Sequence, residues 1–372
     1  MSDFRFEILA CDGRARRGRL HTAHGPVETP CFMPVGTLAN VKTLTWDDVR
    51  GTGASMVLAN TYHLYLRPGH ELIRDLGGLH RFTGWEGAIL TDSGGFQVYS
   101  LSKTRKVHAD GVEFRSHLDG SKHYFTPELV MEIQDALGVD VAMAFDECCP
   151  FSATREYAEE SLVRTHAWAR RSLESWPDSA PGVPYGIVQG AFFEDLRRES
   201  VDTLASMTFP GLAIGGLAVG EPKTLYREML DLCAGLMPTE RPRYLMGVGY
   251  PQDLVEAVGL GVDQFDCVLP TRNARKGMVF TSSGPLSAKA ARYARSDEPV
   301  DGRCDCRTCA TVSRAYLRHL FHSHELLAQR LATLHNVHFY QALMAGLREA
   351  IEHGRLADFQ REFARRYDPE QR

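Results

Sequence analysis

Short apolar runs recur along the chain, each closing on a glycine or a polar residue. They are TPCFMPVGT (29–37), ASMVLANTYH (54–63), GAILTDSGG (87–95), VDVAMAFDE (139–147), PYGIVQG (184–190), GLAIGGLAVG (211–220), RYLMGVGY (243–250) and VDQFDCVLPT (262–271). Near-continuous apolar runs of this length mark strands covered on both faces, which is the pattern of a parallel sheet. Stretches with helical periodicity lie between them, such as TPELVMEIQDALG (126–138) and EDLRRESVDTLASM (194–207). Thr126 followed by Pro127 is a good helix start. Eight strands alternating with helices predict an α/β fold of the (β/α)8 TIM-barrel type. A doubly wound open sheet is the alternative, and the count of eight favours closure.

After the eighth run the pattern breaks. Residues 279–310 carry turn signals and clustered cysteines, and helical periodicity returns from about residue 311. The predicted organisation is a barrel over 1–278, an inserted subdomain over 279–338, and a final barrel helix and tail over 339–372, the helix being FYQALMAGLREAIEH (339–353).

Composition adds bounds rather than identity. The 372 residues are 44% hydrophobic and 24% charged, with a formal net charge of −5. Those are ordinary globular values, and they argue against a surface uniformly coated in positive charge. The start of the chain, MSDFRFEILACDGRARRGRL, has no apolar signal-peptide core, and no apolar run is long enough for a membrane span. Nine cysteines without such a leader suggest a reducing compartment, with thiols free or on metal, and so a cytoplasmic protein.

In a barrel the active site lies at the C-terminal ends of the strands. Those ends carry Asn60, Asp92, Asp146, Gln189, Gly216, Gly247 and Asp266. Any one of these Asp residues has a bland reading as a loop cap. Three carboxylates and an amide converging on one mouth form a candidate site for a polar, planar ligand. A strand-end Asp can attack an anomeric carbon while a second carboxyl serves as acid and base, the retaining-glycosidase arrangement. Asp92 and Asp266 fit those roles, and spacing alone does not say which takes which. The glycines after Asp92 in TDSGGFQ, and Gly215-Gly216, allow backbone amides close to a ligand, although turns use such pairs too.

The segment CDCRTC places Cys304, Cys306 and Cys309 in a C-x-C-x2-C spacing. With an imidazole they make a closed, structural type of zinc site. His335 is the candidate fourth ligand, with His319, His322, His324 and His338 also near in sequence. From Cys267 to Ser296 there are Arg272, Arg275, Lys276, Lys289, Arg292 and Arg295, and no acidic residue. A basic segment joining a strand-end carboxylate to a metal cluster suits a polyanion such as RNA, against the plain reading of a solvated loop.

Taken together these motifs resemble the bacterial-type tRNA-guanine transglycosylases, the queuine tRNA-ribosyltransferase family, over nearly the whole chain. The resemblance runs through GRLHTAHGPVETPCFMPVGT, LANTYHLYLRPG, TDSGGFQVYSL, FDECCP, YGIVQG, IGGLAVGE, YLMGVG, FDCVLPTRNARKG and the cysteine cluster. It implies an irregular (β/α)8 barrel with a zinc subdomain. It implies a pentosyltransferase that replaces the wobble guanine of GUN-anticodon tRNAs (Tyr, His, Asp, Asn) by a 7-deazaguanine, on the way to queuosine. Asp266 then resembles the nucleophile and Asp92 the general acid/base. Asp146, Gln189, Gly216 and Leu217 resemble the readers of the base, with Phe96 and Met246 on its faces. Cys148 and Val219 match positions that separate bacterial from eukaryotic members, and Glu221 would accept from an aminomethyl ammonium, which favours 7-aminomethyl-7-deazaguanine. Cys304, Cys306, Cys309 and His335 match the zinc ligands. Arg272, Arg275 and Lys276 are the candidate anticodon-loop contacts. Lys42, Tyr316, His319 and Glu325 resemble contacts of a homodimer formed through the zinc region. Two other readings compete. A barrel nucleosidase or glycosidase would let water resolve the same intermediate, and a non-catalytic RNA-binding relative would not need both Asp92 and Asp266.

Overall fold

The computed structural model describes residues 4–101, 105–368 and 370. Its centre is a closed barrel of eight strands: Cys31–Gly36, Met56–Ala59, Ala88–Thr91, Val141–Met143, Val183–Val188, Gly211–Ile214, Arg243–Leu245 and Gln264–Cys267. Every neighbouring pair is parallel, and the eighth strand closes on the first, with Phe265 opposite Phe32 and Asp266 opposite Met33. Each strand overlaps one of the eight apolar runs. The runs are longer than the strands because their C-terminal halves leave the sheet to build the mouth.

Side-chain alternation decides what faces the barrel axis. Leu58, Leu90, Ile187 and Tyr244 belong to the interior cluster. Val57, Ile89, Val188, Leu245 and Phe265 point the other way, into the clusters shared with the helices. Two residues beyond each inward position the chain places Asn60, Asp92, Gln189 and, in strand eight, Asp266 on the same side as the axis. The parity of these strands therefore aims Asn60, Asp92, Gln189 and Asp266 into one mouth, while Asp146 reaches it from the segment after strand four, out of phase with the inward Val141 and Met143.

The other end of the barrel is covered by a three-stranded antiparallel sheet, Arg5–Asp12, Ala15–Thr22 and Gly25–Thr29. Its Leu20 and Val27 join the barrel interior. Polar ties fix it there. Arg16 pairs with the fully buried Asp263 just before strand eight, and His24 Nδ1 meets Asp140 Oδ1 just before strand four at 3.0 Å. A second antiparallel sheet, Lys106–Val107, Val112–Arg115 and Lys122–Phe125, lies between strands three and four. The sequence pattern predicts neither sheet, because their strands are short and their alternation is diluted by charged residues. The helix expected after Thr126 is present as Pro127–Leu137, and the Thr126 hydroxyl accepts from Leu129 N at 3.2 Å.

After strand eight come the helix Leu269–Arg275, the hairpin Met278–Thr281/Gly284–Ser287 and two short helices, Arg307–Thr311 and Arg314–His322. One continuous helix, Leu326–Glu352, follows. It starts well before the helix expected at 339 and passes through residue 338 without a break. Its first half carries Ala332, Leu334 and Val337 against the cysteine-bearing segment, and its second half packs Tyr340, Met344 and Leu347 on the barrel. At 1.5 Å per residue a helix of this length spans about 40 Å, enough to brace both parts.

Candidate active site

The mouth is a cavity of about 410 Å³ lined by residues from all eight strand ends, among them Val35, Asn60, Asp92, Asp146, Gln189, Gly216, Met246 and Asp266. The predicted residues Phe96, Cys148, Leu217 and Val219 also line it. Phe96 is exposed, 49% of its surface being open, and Met246 is half-buried, so two apolar side chains are available at the rim of the cavity.

Asp92 is buried at the bottom of this mouth. Its Oδ1 accepts from Thr61 N at 3.0 Å and Gly94 N at 3.2 Å, and Oδ2 accepts from Asn60 Nδ2. Burial outweighs these bonds and, with the charge of Asp266, pushes its pKa to about 7. A carboxyl poised there can both give and take a proton near neutrality.

Asp266 is held differently. Tyr244 OH donates to its Oδ1 at 2.6 Å and Gly247 N to the same atom at 2.8 Å. Among the described residues none donates to Oδ2, which is left to meet a ligand. Burial raises the pKa of Asp266 while both bonds oppose the rise. The two carboxyls share one cavity but differ in support: Asp92 has both oxygens bonded, and Asp266 keeps one open.

Asp146 and Gln189 form the opposite wall. Asp146 Oδ1 accepts from Ser93 Oγ at 2.8 Å, and Oδ2 from Gln189 Nε2 at 2.7 Å. Burial pushes its pKa up and the neighbouring Glu147 adds to the rise. Gln189 Oε1 is buried and receives no bond among the described residues. A planar ligand with N–H donors on its edge would satisfy that acceptor, whose isolation is otherwise costly. Gly216 sits against the same amide with φ +66°. A Cβ there would lie 2.5 Å from Gln189 Oε1, so no larger residue fits.

Glu221 does not line the cavity. Its carboxylate accepts from Ala218 N at 2.6 Å and Val219 N at 2.8 Å, which fixes the turn bearing Leu217 and Val219. Arg272, Arg275 and Lys276 lie on or just after the helix that follows Asp266. Arg272 and Lys276 are exposed and Arg275 is half-buried. Lys42, Tyr316, His319 and Glu325 are all exposed.

Several site residues carried no role in the sequence reading. Tyr244 and Asn60 hold the two carboxyls, and Ser93 holds Asp146. Strand parity offers a signal for Tyr244, which is the inward neighbour of Asp266. No sequence signal points to Arg197, which reaches the site from the helix Glu194–Ser206.

Away from the mouth, Cys304, Cys306 and Cys309 surround His335. Their sulfurs stand 3.7, 3.5 and 3.3 Å from His335 Nδ1. Tetrahedral zinc with ordinary Zn–S and Zn–N bonds sets each S···N edge at about 3.6 Å, so this donor set fits such an ion. His335 Nε2 meets Phe280 O at 2.7 Å, which fixes the tautomer with Nδ1 free to ligate. The four donors form a buried potential metal site, and the other nearby histidines lie outside it.

Comparison with known proteins gives one consistent answer. A family model described as queuine tRNA-ribosyltransferase matches residues 11–369. A queuine tRNA-ribosyltransferase of Caldanaerobacter subterraneus is 54% identical over 369 residues, covering 99% of this chain and 98% of that protein. One of Desulforamulus reducens is 56% identical over 350 residues, covering 94% of each. One of Bacillus velezensis is 53% identical over 353 residues, covering 95% of this chain and 93% of that protein.

Proposed function

The chain belongs to the queuine tRNA-ribosyltransferase family, and on that premise we propose that it exchanges the wobble guanine of GUN-anticodon tRNAs for 7-aminomethyl-7-deazaguanine through a covalent ribosyl–Asp266 intermediate. It is a tRNA-guanine transglycosylase, a pentosyltransferase of queuosine synthesis. The observation that carries the finer reading is the asymmetry of the two mouth carboxyls. Asp266 has one oxygen bonded and one open, as a nucleophile needs, and Asp92 is tuned near neutrality, as an acid/base needs.

The flipped-out guanine enters the mouth, its edge against Asp146, Gln189 and Gly216 and its faces between Phe96 and Met246. Asp266 attacks the anomeric carbon as the glycosidic electron pair leaves with guanine, which takes up the proton that Asp92 gives. The incoming base loses its ring N–H proton to Asp92 and displaces Asp266 from the same carbon, completing a ping-pong cycle. Arg272, Arg275 and Lys276 would hold the anticodon-loop backbone. Cys304, Cys306, Cys309 and His335 would hold one zinc ion, which supplies folding energy and no open coordination position for chemistry. The exposed Lys42, Tyr316, His319 and Glu325 would meet a second copy of the chain.

The test is incorporation of labelled guanine into unmodified tRNA(Tyr), against the same tRNA with its wobble guanine replaced. The reading requires incorporation into the first alone. Steady release of guanine without any incoming base would instead make the protein a hydrolase.

A further inference from the structure

Arg197 is fully buried, and among the described residues no carboxylate pairs with it. Besides a hydrogen bond to the Cys233 side chain, it spends its donors on backbone carbonyls at the ends of strands five and six. Nε donates to Ala191 O at 2.8 Å, Nη1 to Val188 O at 3.1 Å and Gly215 O at 2.8 Å, and Nη2 to Gly216 O at 3.5 Å. A buried guanidinium is costly, and one satisfied by carbonyls and the neutral Cys233 thiol keeps its positive field. The place of that field is informative. Gly215, Gly216 and Leu217 line the mouth beside Gln189.

In a trans peptide the C=O and N–H point in opposite directions. With the carbonyls of Gly215 and Gly216 turned toward Arg197, the N–H groups of Gly216 and Leu217 are turned away from it. Gly216 at φ +66° makes this sequence of two like-facing amides possible. We propose that Arg197 is a positioning residue for the exchange: it locks these two peptides so that their N–H groups receive the ring carbonyl of the base, and its charge backs them as the base takes up electrons. This rests on the transglycosylase reading. When the C–N bond breaks, its electron pair goes to the departing base and spreads onto the ring carbonyl oxygen, while Asp266 forms the new bond to carbon. Donors fixed in advance at that oxygen favour the transition state, as in an oxyanion hole.

The experiment compares wild type with Arg197→Met and Arg197→Lys. It reads melting temperature, exchange kinetics, and competitive inhibition by 7-deazaguanine and by 2-amino-7-deazapurine, which lacks the carbonyl and with it the ring N1–H. Wild type should prefer the carbonyl-bearing inhibitor by roughly tenfold or more, since a site built to bond a group rejects the analogue without it. In Arg197→Met the preference should narrow by roughly tenfold, the remainder being due to the ring N–H read by Asp146, with kcat/KM for guanine down by roughly 10²-fold and KM for tRNA unchanged. Lysine keeps the charge but cannot reach all four carbonyls, so Arg197→Lys should fold and lose most of the preference. Should the Met variant not fold, the Lys variant alone decides. An unchanged preference in a folded variant overturns the inference, as does a loss equal for both inhibitors, which marks a merely structural role. So does a wild type without preference. Absence of any wobble-guanine exchange by wild type would overturn the functional reading instead.

Discussion

Tyr244 and Asp266 stand on neighbouring barrel strands, and the tyrosine hydroxyl donates to Asp266 Oδ1 over 2.6 Å. Burial and the carboxylate hold the Tyr244 pKa well above that of an ordinary tyrosine, so it remains a donor through the physiological range. Its bond favours the ionised form of Asp266 and opposes the rise that burial causes.

Tyr244→Phe removes that bond and leaves the ring in place. Asp266 should then titrate higher, and the acid limb of kcat/KM for exchange should move to higher pH. The rate at neutral pH should fall roughly tenfold, the size of one hydrogen bond to a charged group. A pH–rate profile superimposable on that of wild type would show that the bond does not tune Asp266.

Asp92, at about 7, should appear as an ionisation near neutrality in the exchange profile. Asn60 donates to its carboxylate and lowers its pKa, so Asn60→Ala should shift that ionisation upward. Stability moves with the same group. Its folded pKa lies above the unfolded value of 3.8, so its contribution is fully present below 3.8 and is lost as pH rises through about 7. Asp92→Asn should therefore gain melting temperature relative to wild type between pH 5 and pH 8, while losing exchange. A constant difference across that range would refute the linkage.

Removal of the metal site should cost the fold before it costs chemistry. His335 is fully buried, packed beneath the helix–hairpin segment by its bond to Phe280 O. His335→Ala, or a strong chelator, should lower the melting temperature and release about one zinc ion per chain, measurable by a colorimetric dye. Exchange should decline only as folded protein is lost. An abrupt loss of exchange in a still-folded, metal-free protein would place the ion in the reaction.

At the closed end of the barrel, Asp140 Oδ1 accepts from His24 Nδ1 at 3.0 Å and Oδ2 from Ile89 N at 2.9 Å. The His24 hydrogen bond raises the histidine pKa above 6.5, and Asp140 is held below 3.8 although burial alone would raise it. The signs differ. The His24 contribution is present below 6.5 and is lost as pH rises through its raised value. The Asp140 contribution is present above 3.8 and is lost as pH falls through its depressed value. His24→Ala should therefore lower the melting temperature more at pH 6 than at pH 9. An equal effect at both would remove the ion pair from the account.

The carboxyls of the mouth, Gln189 beside them and the potential metal cluster could be picked out in the chain because each sits in a dense local motif. Asp92 stands in TDSGGFQ, Gln189 in YGIVQG and the thiols in CDCRTC. The antiparallel sheet that covers the barrel floor was not legible. What secures it is Arg16 on Asp263 and His24 on Asp140, pairs of residues more than a hundred positions apart whose value exists only once the strands are assembled.

By itself the sequence determined the eight strands, their alternation with helices, the family resemblance and the residue types at the mouth, since periodicity and local motifs survive without a fold. Only the tertiary structure decided which oxygen of Asp266 stays open, that Glu221 turns to its own loop rather than the cavity, that His335 rather than its neighbours completes the thiol set, and that Arg197 stands behind Gly216. Each of those depends on distances and burial between remote segments, and burial is what moves a carboxyl such as Asp92 from its ordinary pKa to neutrality.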